Sequence, residues 1–287
     1  MGYEPLFLAR AMQWIPAEAA SLLATGSAAE SLAALRAGQV QAAALAFDEV
    51  LVARSAGLDL SVVLVMDVSM GADMLLVRQG VKTLQELKGL RVGLEESSIA
   101  EILLHEALRL GGLSTTDVQL VRLPNDQHIK AWQDQFVDAL VTYEPQATPL
   151  LAQGARRLFD SRNLPNTFVD VLAVRNDLIQ RDHRDSLRRV LAGHFRAIQH
   201  MAQNPQDAAY RMAPRLHLPA ADVLSAFRGL LLPDAMANHR LLSGRAAQLQ
   251  DTAQRLTSML QSLGLIARTG GAANVLLRPE FLPEESL

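Results

Sequence analysis

A chain of 287 residues, 49% hydrophobic and 20% charged, can bury a large core and has an ordinary globular balance, enough for two domains or lobes. Its formal net charge of −3, with no strongly basic stretch, argues against nucleic acid as a partner. The lack of cysteine excludes disulfides, thiolate metal sites and cysteine nucleophiles.

The chain opens on Tyr3-Glu4-Pro5, and the same tripeptide returns at Tyr143-Glu144-Pro145. Proline lacks an N–H and has a fixed φ, so each Pro suits the first turn of a helix, and each Glu sits where free helical N–H groups favour negative charge. The first copy predicts a helix through PLFLARAMQW. SLLAT (21–25) reads as a strand, AAESLAALRAG as a helix stopped by Gly38, and QAAALAF as a run ending at Asp48, where DEVLVARSAG starts a helix. LSVVLVMDV and DMLLVRQG are strands, VKTLQELKG a small helix and RVGLE a strand. SSIAEILLHEALRLGG is a helix with Ile99, Leu103, Ala107 and Leu110 in helical spacing and Gly111-Gly112 as its stop. VQLVRL, FVDALVTY, RRLFDS and VDVLAVR are further strands, and QATPLLAQG is a short helix ending at Gly154. From Asp177 the pattern is helical, its last long helix carrying Leu249, Ala253, Leu256, Leu260 and Leu263 on one stripe. Alternating strands and helices predict an α/β protein with largely parallel sheets, and the final helical block has to cover a sheet made earlier.

Polar junctions at RQGVKTLQELKG and AVRNDLIQRDHRD divide the chain into residues 1–81, the first part of one lobe, residues 82–175, a second lobe inserted into it, and residues 176–287, the return and the C-terminal helices. Two crossings between lobes imply a hinge and a cleft.

No catalytic or metal motif stands out. None of the seven histidines forms an HExxH pair, and there is no GxSxG elbow, Walker A loop or GxGxxG fingerprint, so no catalytic residue, metal ligand or cofactor is assigned. Ser97 and Ser98 open a helix directly after a strand, where hydroxyls and free N–H groups either cap the helix or hold an oxyanion; Glu95 and Glu96 beside them weaken the second reading. Asp48, Asp67, Asp73 and Asp170 fall at strand ends, where they form caps and turns or, at the carboxyl edge of a sheet, accept N–H groups of a ligand.

Taken together, GYEPLFLA, ALAFDEVLVARSAGLDLSVVLVMDVSMGADMLLV, TLQELKGLRVGLEESS, FVDALVTYEP and FVDVLAVR resemble the nitrate/sulfonate/taurine-type substrate-binding proteins of ABC importers, a group related to the thiamine-pyrimidine binding proteins. The resemblance runs from Gly2 to the C-terminus. It implies the type II periplasmic-binding fold, with a ligand cleft between two α/β lobes. It makes the two Tyr-Glu-Pro turns two walls of that cleft, and it implies ligand contacts from Tyr3, Glu4, Phe47, Asp48, Asp67, Ser69, Ser97, Ser98, Tyr143, Glu144 and Asp170.

The function implied is a receptor that delivers a small polar organic molecule, sulfonate-like or pyrimidine- or amine-like, to ABC permease subunits. The surplus of carboxylates and the want of arginine at these turns suit a ligand with N–H donors or positive charge. The alternatives are a cofactor-independent enzyme using the same cleft and a ligand-sensing module of a signalling system. Family members begin with a secretion signal, often of lipoprotein type, and a strand ahead of the GYEP-like turn; neither is present in these residues, and no apolar run approaches the roughly 18 residues of a membrane helix. The expectation is a periplasmic or lipoprotein-anchored full-length form, tethered only through such a segment, and a first-lobe sheet whose first strand is missing, which exposes backbone and favours self-association.

Overall fold

The structure, a computed structural model, describes residues 1–144, 146–177, 179, 181–243, 248–267 and 276–284. Its elements in chain order are α1 (Glu4–Ala11), α2 (Ala28–Arg36), β1 (Ala42–Ala46), α3 (Phe47–Ser55), β2 (Leu60–Ser69), β3 (Met74–Val77), β4 (Arg91–Leu94), α4 (Ser98–Leu110), β5 (Gln119–Arg122), α5 (His128–Gln133), β6 (Ala139–Thr142), α6 (Ala147–Ala152), β7 (Arg156–Asp160), β8 (Val169–Arg175), α7 (Arg181–Gln203), α8 (Pro205–Leu216), α9 (Ala220–Ala226), β9 (Leu230–Leu231), α10 (Ala235–Leu242), α11 (Gln248–Ser262) and β10 (Leu276–Leu277). VKTLQELKG contributes one 3₁₀ turn at Leu84–Leu87. Pro145, expected at a helix start, lies outside the described residues.

Local chemistry sets several of these boundaries. The Ser27 hydroxyl accepts the Glu30 N–H at 3.2 Å while the Glu30 carboxylate accepts the Gly26 N–H at 2.7 Å, so both sides of the turn into α2 are bonded. At α3 the Glu49 carboxylate reaches back to the Ala46 N–H at 2.9 Å. β2 is buried along its whole length, as its unbroken apolar run requires.

One expected strand does not form. Ser21–Thr25 has no regular structure, and among the described residues no strand pairs with it.

The strands make two sheets. The first runs β1–β8–β2–β10, with the short β9 also on β2; the second runs β5–β4–β6–β3–β7. The expectation of largely parallel sheets needs correction. β8 is antiparallel to both β1 and β2, and β3 is antiparallel to both β6 and β7; among the described residues parallel pairing is confined to β4 with β5 and β6, and to β10 with β2. The inserted antiparallel strand of each sheet is the one that has just crossed from the other half.

The crossings also lie elsewhere than the polar junctions suggested. β3 belongs to the second sheet and β8 to the first, so the chain leaves the first sheet between Ser69 and Met74 and returns between Asp160 and Val169. Both points precede the expected boundaries after residues 81 and 175. An apolar run shows that a strand is buried without showing which sheet it joins, and Gly80 marks only a surface turn.

The two crossing segments are tied side by side. The Ser69 and Ser161 hydroxyls lie 2.8 Å apart, the Gly71 N–H donates to Ser161 Oγ at 2.7 Å, and the Ser161 N–H donates to the Asp73 carbonyl at 2.9 Å. Gly71 makes this possible with a φ of +108°, a conformation that suits glycine.

An apolar core runs from Leu8 and Leu51 through β2 and β8 into Leu103 and Leu104 of α4, and a smaller cluster around Met74, Trp132 and Leu140 covers the far face of the second sheet. Leu249, Ala253, Leu256 and Leu260 bury one stripe of α11, which packs on α3, so the late helices do cover elements made early.

Candidate functional site

Where the two halves meet, the ends of β2 and β8 bring Asp67 and Asp170 directly opposite each other. Two register shifts in β2, between Val62 and Leu64 and between Val65 and Asp67, set that alignment. Val65, between the shifts, is held by one side chain from α10: Asn238 Oδ1 accepts its N–H at 2.7 Å and Asn238 Nδ2 donates to its carbonyl at 3.0 Å. The Tyr3 phenol, from the turn into α1, and the Asp67 carboxyl both act on Asp170.

Further acids gather around this pair. Asp48 and Glu49 stand in the first turn of α3, Asp73 follows the first crossing, and Glu95 follows β4. Burial pushes the Asp48 and Asp73 carboxyls each up to about 6, despite hydrogen bonds from Ser98 and Ser69 that lower them. Burial and then the neighbouring Asp48 push Glu49 up to about 8. Burial also raises Asp67 and Asp170, the charge of Asp170 adding to the effect on Asp67, and it raises the Tyr3 phenol ahead of the effect of Asp170. The charges acting most strongly on Asp48, Asp67, Asp73 and Asp170 are other carboxylates and the Met1 amino group; no Lys or Arg is among them. The arrangement favours groups that bring N–H donors or positive charge to it.

The opposite wall comes from the second sheet. The Ser98 hydroxyl at the start of α4 donates to Asp48 Oδ2, a hydrogen bond that joins the two halves. The carboxylate of Asp48 thereby occupies the N-terminal end of α4, where a free oxyanion would otherwise be favoured. Tyr143, after β6, donates its hydroxyl to Glu95 Oε2 at 3.2 Å, and burial followed by the Glu95 charge raises its phenol.

Of the eleven residues singled out from the sequence, the structure brings Tyr3, Asp48, Asp67, Ser98, Tyr143 and Asp170 to this junction. The other five have side chains engaged elsewhere. Glu4 Oε1 accepts Arg215 Nε at 3.1 Å, with that guanidinium stacked on Phe7. Phe47 is fully buried in the core, because the first residue of α3 turns inward under the sheet. Ser69 holds the crossing, Ser97 caps the Ala100 N–H at 3.3 Å, and Glu144 accepts the N–H and hydroxyl of Thr148 at 3.1 and 2.9 Å. In both Tyr-Glu-Pro turns, therefore, the tyrosine faces the shared acids while the glutamate secures a helix. Sequence reasoning passed over Glu49 and did not select Asp73 or Glu95. Their signal was position: each lies one to four residues beyond the end of a strand at the junction, or on the crossing itself. Among the described residues no group of three or more His, Asp or Glu is placed to hold a metal ion, and no helix is long and apolar enough to cross a membrane.

Residues 20–208, more than half of the chain, match the protein family described as NMT1/THI5 like. The chain belongs to that family. Over 149 residues it is 32% identical to an Escherichia coli (strain K12) protein that carries the name of an aliphatic sulfonates-binding protein; the match takes in 51% of this chain and 47% of the relative, so it spans about half of that protein's length. Among solved structures it is similar to the periplasmic aliphatic sulphonate binding protein SsuA of Escherichia coli, with a TM-score of 0.81 at 22% identity over 98% of this chain and 96% of that one. It is also similar to DszB in complex with biphenyl-2-sulfinic acid, with a TM-score of 0.69 at 18% identity over 96% and 94%. These likenesses establish the type II periplasmic-binding fold for the NMT1/THI5-like chain, with its two α/β halves and two crossings.

Proposed function

We propose that this NMT1/THI5-like chain is the solute-binding receptor of an ABC importer, working in the periplasm, and that it takes a small organic solute at the junction of its two halves. The observation that carries the solute class is the electrostatics of that junction: Asp48 and Asp67 are buried, Asp73 and Asp170 stand half-buried beside them, and the strong charges upon the four include no Lys or Arg. A solute presenting an amine, amidine or pyrimidine N–H face fits such a set, since each donor satisfies a carboxylate that burial otherwise penalises. Tyr3 and Tyr143, one from each half, are placed to flank it. Delivery follows from closure: the solute holds the halves together, and permease subunits receive the closed form. A membrane tether, if the full-length form has one, acts only as a leash for this cycle.

The sulfonate reading has its own support in the names of the relatives and requires Ser98 to release Asp48, so that the N-terminus of α4 is free for an oxyanion. The enzyme reading draws on the desulfurization enzyme among the structural neighbours, but with no cysteine here no thiolate step is open to this chain.

Isothermal titration against primary amines, amidines, pyrimidines and alkanesulfonates tests the proposal. Saturable binding of a member of the first three groups, recovered chemically unchanged, is expected. Binding confined to alkanesulfonates overturns the solute class, and steady conversion of the bound compound overturns the receptor.

A further inference from the structure

Three buried acids away from the junction each hold an arginine: Glu106 bonds Arg109 at 2.9 Å, Asp160 bonds Arg162 at 2.6 Å and Glu4 bonds Arg215 at 3.1 Å. At the junction, among the described residues, Asp67, Asp170 and Glu95 form no ion pair with Lys, Arg or His. These acids fall into two sets. Asp67 and Asp170 stand opposite each other at the ends of β2 and β8 in the first half, with the Tyr3 phenol acting on Asp170. Glu95 follows β4 in the second half and accepts the Tyr143 hydroxyl at 3.2 Å. The repeated Tyr-Glu-Pro sequence thus gives each half one tyrosine beside a carboxylate. The sets are near each other, since the charge of Asp170 acts on Tyr143 and that of Glu95 acts on Glu49. Within the first set one oxygen, Asp67 Oδ2, is buried and has no hydrogen-bond partner among the described residues, on a residue only 3% exposed. A buried acceptor in that state costs free energy that a donor placed there recovers.

Building on the receptor reading above, we propose that the solute is a short linear diamine, with one ammonium on Asp67 and Asp170 of the first half and the other on Glu95 of the second. A single ammonium satisfies one set and leaves the other uncompensated, with no Lys or Arg paired to it. Two ammonium groups joined by a methylene chain satisfy both. Tyr3 and Tyr143, one beside each set, suit such a solute, because aromatic rings accept both cationic and hydrocarbon neighbours. The two sets belong to different halves, so a diamine of the right length also ties the halves together, which a monoamine does not. A divalent metal ion is the other way to bring two positive charges. It needs several ligands converging on one point, and among the described residues no group of three or more His, Asp or Glu does so.

Calorimetry on the 287-residue chain compares ethylenediamine, tetramethylenediamine and hexamethylenediamine with butylamine. One diamine is expected to bind at least about tenfold more tightly than butylamine, with affinity depending on chain length. Glu95→Gln keeps an oxygen for the Tyr143 hydroxyl but removes the charge, and is expected to bring that diamine down to the affinity of butylamine. Asp67→Asn is expected to weaken the diamine and the monoamine alike. The wild-type comparison stands whether or not the variants fold. Butylamine binding as tightly as every diamine, or a diamine preference that persists in Glu95→Gln, overturns the diamine and leaves an amine receptor standing. Failure of every amine to bind overturns the solute class proposed above and the diamine with it. Saturable binding of calcium ion that competes with tetramethylenediamine and is lost in Asp67→Asn gives the paired charges to a metal and overturns the diamine as well.

Discussion

Asp67 and Asp170 face each other across the β2–β8 ladder, Asp67 buried and Asp170 half-buried, with the Tyr3 phenol acting on Asp170 from the turn into α1. Two carboxyls opposite each other on neighbouring strands, where burial disfavours their charge, retain protons more readily than either would alone. Asp67→Asn removes the like-charge repulsion while preserving shape, so the melting temperature at pH 8 is expected to equal or exceed that of the wild type. Affinity for a cationic solute is expected to fall, because one buried charged partner is worth about 2–5 kcal/mol of binding. Asp48→Asn is expected to lose affinity as well, while His105→Ala and His239→Ala retain it, since His105 lies on the outer part of α4 and His239 bonds the Pro283 carbonyl. Calorimetry on the four variants decides; wild-type affinity in both aspartate variants removes the pair of acids from the binding site.

Glu49 gives the clearest pH signature. Its folded-state pKa is raised to about 8 from an ordinary 4.5. A raised carboxyl binds more protons in the folded state than in the unfolded one between those values, so its contribution is present below pH 4.5 and is lost as pH rises through 8. Buried His194, held down to about 3, acts in the opposite sense but is complete above its ordinary value of 6.5. The window from pH 6.5 to 8.5 therefore isolates the acids. Melting temperature is expected to fall across it in the wild type and to fall less in Glu49→Gln, which keeps an oxygen for the Ala46 N–H. Parallel curves for the two proteins would mean that Glu49 titrates normally.

The Ser98–Asp48 hydrogen bond joins the halves without a solute. Ser98→Ala leaves Asp48 buried with one partner fewer, a cost of about 1–3 kcal/mol that opening relieves. Small-angle scattering is expected to give a larger radius of gyration for the solute-free variant than for the wild type, and a decrease on saturation with solute in both. Identical radii in all four states would show that this contact does not control the opening of the halves.

What the sequence made legible was local. The strand VVLVMDV, the α4 stripe and the Ser97 cap follow from periodicity and end chemistry within a few residues. The position of β8 between β1 and β2 does not, because any apolar strand of that length satisfies the same pattern, and so both crossings were placed too late. Acids at strand ends were readable as a set for the same local reason, whereas Phe47 and Glu144 were not separable from them: whether a side chain at a helix start turns to the core, to its own helix or to the junction depends on elements far away. Ser21–Thr25 shows the reverse case, a strand sequence that pairs with no strand among the described residues.

Asn238 is the strongest example of information carried over distance, and it supports the last prediction. It lies on α10, far along the chain from Val65, yet it bonds both backbone groups of Val65 at the point where β2 slips its register. Val65 stands opposite Val171 of β8, and its N–H and carbonyl point to the other edge of β2, between the residues that β10 and β9 pair with, so a side chain must supply their partner. Asn238→Leu fills similar volume and leaves a buried N–H and a buried carbonyl unpaired, at about 1–3 kcal/mol each. If β2 escapes that cost by pairing in regular register, every later side chain changes face, and Asp67 no longer meets Asp170. The variant is expected to melt several degrees lower and to bind solute more weakly than its loss of stability explains. Asn238→Asp, which keeps the acceptor for Val65 and loses the donor, is expected to fall between. A variant that loses stability but keeps full affinity would show that the bulge supports the fold without setting the position of Asp67.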